Sequence, residues 1–277
     1  MTTARISPTA HYTATVWARN GLAHPALAEA ANPTLYRTTD PFIRALARVA
    51  STPTIEAVLV SRHKTIDRLV ADGIESGRIT QVVEVPGGLS SRGARFVERY
   101  PDLVYVEGDL PGMAGCKRDA LARGGFQHPR HHVVDLDLLA EDGPTSLGQA
   151  IGPLVDPTRP TAFITEGLLN YFDEEWVLTA WRRTAAFLRT FPSATYHADI
   201  RIGEPDAPWA VRGFLAGLSL VARGRVQAHF TNPAHAARIL KSCGFDEARL
   251  VPVAAAAKGR EPGEDDVRMH IIEGTNG

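Results

Sequence analysis

Cysteine is scarce in this chain: two residues, Cys116 and Cys243, stand far apart, and no C-x-x-C pair occurs. That excludes a disulfide framework and a thiolate zinc site, and it suits a reducing compartment. An excess of charge is missing too. Lys and Arg number 30 against 31 Asp and Glu, so no global field draws the chain to nucleic acid or to an anionic membrane, and a charged ligand has to be met locally. No stretch approaches the roughly 20 apolar residues of a membrane span. Residues 1–11 carry one arginine and no apolar run, unlike the layout of a secretory signal. A cytoplasmic protein with a small-molecule partner is expected. Internal repeats and low-complexity tracts are also absent.

What is present is a chain long enough for one large core, with 44% hydrophobic residues among 277. Residues 1–78 mix Pro8, Pro25, Pro33 and Pro41 with short helical patterns, among them 41–49 and 65–73, and read as an N-terminal helical cap. From residue 79 the pattern changes. Short β-branched runs bounded by Gly, Pro and Asp alternate with helical stretches, as in stacked β-α units around a parallel sheet. Seven strands are predicted, at 81–85, 103–107, 132–135, 162–165, 194–198, 248–253 and 267–272. The 203–229 segment is long for a β-α connection and carries its own helical pattern at 209–221, so an inserted helical lid over the 79–277 core is expected.

The chemistry concentrates at strand ends. Val82-Val83-Glu84-Val85 runs into Pro86-Gly87-Gly88, a strand followed by a glycine turn and a helix start, where a ligand can approach bare backbone. The next predicted strand leads to Asp109, 21 positions after Gly88, where open α/β folds place the carboxylate that binds ribose hydroxyls. Turn plus acid point to an adenosine ligand. A pyrophosphate cradle of the G-x-G-x-x-G type is lacking, because Pro86 holds its first position; S-adenosylmethionine (SAM), which has no phosphate, tolerates that loss. Asp137 follows the third strand and can meet an adenine amino group, with Leu138 on the ring face. Glu166 ends the fourth strand beside the topological switch point, where a carboxylate can face an ammonium or sulfonium.

These blocks resemble the leucine carboxyl methyltransferase family, and within it the polyketide O-methyltransferase branch typified by the tetracenomycin C-methylating enzyme. The similarity is carried by Ser7-Pro8-Thr9-Ala10-His11-Tyr12-Thr13, by Arg62 with Asp67, by Val83 to Arg92, by Tyr105 to Pro111, and by Glu166-Gly167-Leu168-Leu169-Asn170-Tyr171. The resemblance implies a class I SAM-dependent methyltransferase fold: Rossmann-like, with a seven-stranded, mostly parallel sheet. It also implies roles. Arg62 would bind the methionyl carboxylate of SAM, Gly88 line the methionyl turn, Asp109 hold the ribose, Asp137 and Leu138 the adenine, and Glu166 the amino end. Glu84, Gly87, Leu110 and Gly167 join the cofactor-binding set. Two departures from the pattern, Pro86 in the turn and Gly108 at the strand end, are expected to shift the cofactor.

For the acceptor, the candidates are His11, Tyr12, Arg19, Tyr171, His197 and Arg201, with Trp17, Trp209, Phe214 and Leu218 as apolar walls. A carboxylate acceptor needs only orientation, whereas a phenol gains from a general base. No unmistakable base stands among the candidates, which favours a carboxylate of an aromatic or polyketide-like small molecule. No metal is called for, and a homodimer stays open. The alternatives are a nicotinamide-dependent oxidoreductase, a binder without turnover, and a protein C-terminal carboxyl methyltransferase. A hydrolase is excluded, since Gly88-Leu89-Ser90-Ser91-Arg92 lacks the closing glycine of G-x-S-x-G.

Overall fold

The computed structural model describes residues 8–30, 33–49, 53–203, 228–253 and 269–277. Four helices precede the first strand: α1 (Pro8–Arg19), α2 (Pro25–Ala28), α3 (Thr34–Val49) and α4 (Ile55–Glu75). The strands are β1 (Gln81–Glu84), β2 (Val104–Asp109), β3 (His131–Asp135), β4 (Thr161–Thr165), β5 (Ala194–Arg201), β6 (Glu247–Pro252) and β7 (Met269–Asn276). Between them lie α5 (Arg92–Arg99), α6 (Pro111–Arg123), α7 (Leu147–Ala150), α8 (Glu174–Leu188) and α9 (Pro233–Ser242). All seven expected strands form.

The sheet order is β3-β2-β1-β4-β5-β7-β6, with β7 antiparallel to both neighbours and the other pairs parallel. The chain steps outward from β1 to β3 and then returns to β4 on the other side of β1. That reversal opens a crevice at the carboxyl ends of β1 and β4. Successive side chains of each strand point to opposite faces, and both faces are covered. On one side Val82, Ile164 and Ile271 pack with Ile66 and Val70 of α4 and Phe96 and Val97 of α5. On the other Val83, Phe163, Tyr196 and Ile272 pack with Trp181 and Ala185 of α8 and Leu240 of α9.

Several boundaries move. α4 begins ten residues before the expected helix at 65, capped by the Thr54 side chain on the Ala57 N–H. The polar run Arg62-His63-Lys64 interrupts the apolar stripe, but Arg62 and His63 turn inward to carboxylates and are themselves buried. α4 therefore belongs to two layers, since Leu59 and Val60 pack into the cluster of Tyr12, Val16, Trp17 and Tyr36, while Ile66 and Val70 close the sheet. α3 passes through Pro41 instead of starting there; an Asp40–Arg44 ion pair spans the proline and ties the two halves. Gly108, for its part, does not interrupt the strand. β2 runs on through Gly108 to Asp109, with Gly108 paired to Val134, and a Cβ there would meet Leu136 at 2.9 Å.

Of the inserted segment, only its ends are described. Ile202 bridges Phe230, so the chain leaves and rejoins the sheet at one point, beyond the end of β5. The helix expected at 209–221, with Trp209, Phe214 and Leu218, lies outside the described residues.

Candidate active site

The glycine turn is built from beneath. Gly87 has no room for a side chain, because a Cβ would stand 2.8 Å from Glu107 Oε2. Gly88 adopts φ +48° and has nothing within 4 Å of where a Cβ would sit. One glycine is thus needed for contact with the protein, and the other faces open space. Lys117 of α6, fully buried, donates to the Gly87 carbonyl at 3.1 Å and to Glu107. Glu107 also accepts from His131 Nε2 at 2.6 Å. Burial pushes the Glu107 carboxyl up, but Lys117 and His131 outweigh it and hold it below its ordinary range. Sequence reasoning missed this support, since nothing in the linear pattern aims Lys117 at a turn 30 residues earlier.

Asp109, at the end of β2, closes the turn from above. Its Oδ2 accepts the Gly88 N–H at 2.8 Å and its Oδ1 the Leu110 N–H at 2.8 Å. Burial raises its pKa, with these two N–H groups opposing the rise. The 21-residue spacing is thus a direct contact. Beside it, Leu110 is 53% exposed, the one large apolar side chain so exposed among the described residues. Leu138, expected against the adenine, is 5% exposed and part of the main core. Leu110 is the large apolar side chain exposed at this edge. Asp137 is exposed, and its Oδ1 caps the Leu139 N–H at 2.9 Å.

At the ends of β4 and β5 stands a buried cluster of charges. Arg62 donates from Nε to Glu166 at 3.1 Å and from Nη1 to Asp199 at 2.9 Å. Asp199 also accepts the Gly167 N–H at 2.5 Å, and Gly167 sits at φ +73° with Arg62 Nη2 beside it. Glu166 Oε2 further meets Arg92 Nη2 at 2.5 Å and His63 Nδ1 at 2.9 Å. Arg92 reaches Glu84 at 2.6 Å and Asp67 at 2.6 Å, and Arg95 reaches Asp67 at 2.8 Å. Glu84 accepts the Tyr105 hydroxyl at 2.6 Å. His63 Nε2 lies 3.1 Å from Arg95 Nη2, and its Nδ1 lies 2.8 Å from Arg92 Nη2 and 2.9 Å from Glu166 Oε2. Trp17 stacks on this imidazole at 4.3 Å, which binds α1 to the cluster. Burial raises Glu166, but His63, Arg92 and Arg62 together hold it well below the usual carboxylate range.

Arg62 and Glu166, each expected at the methionyl end, are in direct contact with one another. Two of the three guanidinium nitrogens are spent on protein carboxylates, so a two-pronged clamp for a ligand carboxylate is not held ready; Nη2 is what remains. Asp199 was missed, because an acid in mid-strand gives no linear signal. Glu84, expected at the cofactor, is turned into the same cluster.

The acceptor candidates scatter. Tyr171, in a short 3-10 turn at Leu169–Tyr171, feels the Arg62 charge, though burial still raises its pKa. Arg201 ends β5, where its N–H donates to Asn170 Oδ1 at 2.9 Å. His11 Nδ1 lies 3.2 Å from the Ala30 carbonyl. Tyr12 is 1% exposed among Tyr36, Val16 and Ile55, and burial raises its pKa. Arg19 pairs with Glu56 at 3.7 Å and lies over the Tyr36 ring. Trp17 is cap core.

His197 is not at the site. β5 continues four residues beyond it, leaving it in mid-strand, 4% exposed, with both ring nitrogens unpaired. Burial, with Arg92, Arg78 and Arg249, lowers its pKa to about 4. A lowered pKa means that the fold prefers the neutral ring. The resulting stability is present above the ordinary value near 6.5 and is lost as pH falls toward 4, by roughly 3 kcal/mol at most. His197→Leu is expected to raise the unfolding midpoint at pH 7 by about 2–5 °C and to flatten this acid-side loss. Thermal scans between pH 4 and 7 check both; a lower midpoint at pH 7 would show that the ring has partners.

Comparison with known proteins places the architecture. The sequence profile described as leucine carboxyl methyltransferase matches residues 19–184. A protein of Mycobacterium avium, assigned by inference as an S-adenosyl-L-methionine-dependent methyltransferase, is 38% identical over 115 residues, 41% of this chain and 35% of that protein. One from Mycobacterium tuberculosis with the same assignment is 39% identical over 111 residues, covering 40% and 30%. The match spans about a third of the length of these relatives. Among solved structures, a protein from Thermobifida fusca assigned by inference as a methyltransferase gives a TM-score of 0.58 at 18% identity, covering 84% of this chain and 88% of that one. Magnesium protoporphyrin IX methyltransferase from Synechocystis, solved with bound SAH, gives 0.52 at 15%, covering 80% and 86%. These identities show the fold alone, the class I methyltransferase fold, whereas the profile match over more than half of the sequence shows kinship: the chain belongs to the leucine carboxyl methyltransferase family.

Proposed function

We propose that this protein transfers the methyl group of SAM to an oxygen of a small aromatic or polyketide-like acceptor, with a carboxylate favoured over a hydroxyl. One observation carries the cofactor assignment. Asp109 joins the open glycine turn to the exposed Leu110 in a single hydrogen-bonded unit, which offers bare backbone, a ribose acceptor and an apolar surface for adenine side by side. Gly87, Gly88, Asp109 and Leu110 would hold the adenosine, Asp137 its amino edge, and Gly167, Arg62 and Glu166 would border the methionyl end. The family and the curated relatives support the same cofactor. The turn has no G-x-G-x-x-G cradle, which weighs against a nicotinamide dinucleotide.

When bound, SAM supplies an electrophilic methyl on sulfur, and the residues here align the acceptor and shield it from water. The acceptor class follows from what the candidates can do. His197 is buried in mid-strand, Tyr12 and Tyr171 have raised pKa values, and Arg201 and Tyr171 are donors. Such a set seats an anion more readily than it removes a proton. The family's description, which names carboxyl methylation, points the same way.

Incubation with SAM and a panel of aromatic acids and phenols tests the proposal. The expected product is an ester cleaved by mild alkali. Its rate of formation should stay nearly flat from about pH 6 to pH 9, since an acid of pKa about 4 is ionised throughout. An alkali-stable product whose rate climbs across that range would establish ether formation with base assistance instead.

A further inference from the structure

A peptide group between two glycines meets little steric resistance to rotation, because neither neighbour carries a Cβ. The chain has two such pairs, 87–88 and 124–125, and the first stands in the glycine turn at the carboxyl end of β1. The face of that turn at Gly88 is open. A ligand approaching it meets the bare peptide, so whatever fixes the direction of that peptide bears on binding.

The Gly87–Gly88 peptide is held at both ends. Its N–H donates to Asp109 Oδ2 at 2.8 Å, and its carbonyl accepts from Lys117 Nζ at 3.1 Å. A carboxylate at the N–H and an ammonium at the oxygen both follow the peptide dipole, and a flipped peptide would turn each end toward the wrong charge. The carbonyl also accepts the Ser90 N–H at 3.1 Å, but Ser90 lies in the same loop and ties it only to itself. Lys117 ties it to α6. With the Gly87 N–H donating to the Gly108 carbonyl at 2.9 Å, the segment from Gly108 to Lys117 grips the turn through Gly108, Asp109 and Lys117, and the same segment exposes Leu110. Lys117 is the only buried lysine among the described residues, and its ammonium is paired with Glu107. A buried ion pair is seldom more stabilising than apolar side chains of the same volume. What apolar side chains cannot supply here is a donor at the Gly87 carbonyl.

We infer that Lys117 is a positioning residue for the cofactor: it holds the carbonyl end of the Gly87–Gly88 peptide while Asp109 holds the N–H, and so keeps the turn in the one orientation that receives SAM. The inference rests on the cofactor assignment above. Lys117 acts through the turn and not by touching the ligand. Without it the peptide samples other orientations, and the apparent affinity falls with the fraction of molecules whose turn is ready. SAM and its demethylated product, S-adenosylhomocysteine, meet the same turn, so both are affected alike.

The test reads the ligand and the peptide separately, and neither needs turnover. Lys117→Met removes the donor at nearly constant volume. Calorimetry should show SAM and S-adenosylhomocysteine bound about tenfold more weakly, the weight of one charge-assisted hydrogen bond. Glycine labelled at the carbonyl carbon and the amide nitrogen isolates the two Gly-Gly peptides in a nuclear magnetic resonance spectrum. In the ligand-free variant the Gly88 amide signal should shift, broaden or split, while that of Gly125 stays in place, and saturating SAM should return a single Gly88 signal. If Lys117→Met fails to fold because Glu107 has lost its cation, Lys117→Met combined with Glu107→Leu, which leaves no acid unpaired, carries the same expectations. Affinity within about threefold of the wild type overturns the inference. So does a tenfold loss with the Gly88 signal unmoved, which marks a lysine that only braces the fold. If the wild type binds neither ligand, the cofactor assignment falls and the inference with it, whatever the Gly88 signal does.

Discussion

Replacing Asp109 with alanine is expected to raise the dissociation constants of SAM and S-adenosylhomocysteine together, by about 100- to 1000-fold, or roughly 3–4 kcal/mol. Two losses add at this position. The carboxylate is the acceptor offered to a ribose, and such charge-assisted bonds are among the stronger ones. It also holds the turn, accepting from Gly88 and Leu110 at 2.8 Å each, and alanine leaves both N–H groups without that partner. Because the two ligands share the ribose, their ratio should stay constant. Asp109→Asn keeps the shape but presents an NH2 to one of two N–H donors, so an intermediate loss is expected. Calorimetry on the three proteins decides; an alanine variant with wild-type affinity would remove Asp109 from the cofactor site.

The contrast between Asp109 and Asp199 shows what the sequence made legible. Asp109 is readable because it lies at the end of a strand whose apolar run, bounded by turn residues, fixes its position, and because a glycine turn stands at a set distance before it. The seven strands were readable for the same reason, with errors of a few residues where pairing, invisible in one strand alone, extends β2, β5 and β7. The charge cluster was not. Arg62, His63 and Arg92 look like solvated positions on helices α4 and α5, and only the packing of those helices on the sheet turns them onto Glu84, Glu166 and Asp199, as much as 137 residues away. His197 differs in the opposite sense, since a histidine near a strand end looks chemical until the strand proves three residues longer. Leu110 and Leu138 both follow a strand-end acid, and that Leu110 is exposed while Leu138 is buried is set by packing that the linear pattern does not carry.

The cluster's own weight is tested at Arg92. It stands in the first turn of α5 with no exposed surface, where the helix dipole disfavours a cation, yet it pairs with Glu84, Asp67 and Glu166. Burial works against its charge, and the three carboxylates reverse that effect. Arg92→Met keeps most of the volume and leaves three buried acids short of their common partner, so a loss of about 3–5 kcal/mol is expected. In a chain of this size that corresponds to an unfolding midpoint roughly 10 °C lower. Arg92→Lys should recover little, because a single ammonium cannot reach three acids in the planes the guanidinium spans. Adding Glu84→Gln to Arg92→Met should restore part of the loss, since an amide costs less to bury unpaired than a carboxylate. Arg99→Ala is the control: its pair with Glu75 is exposed on both sides, and the midpoint should move by no more than about 2 °C. If Arg92→Met melts with the wild type, the buried pairs carry no net stability, and the cluster's role is confined to the ligand it faces.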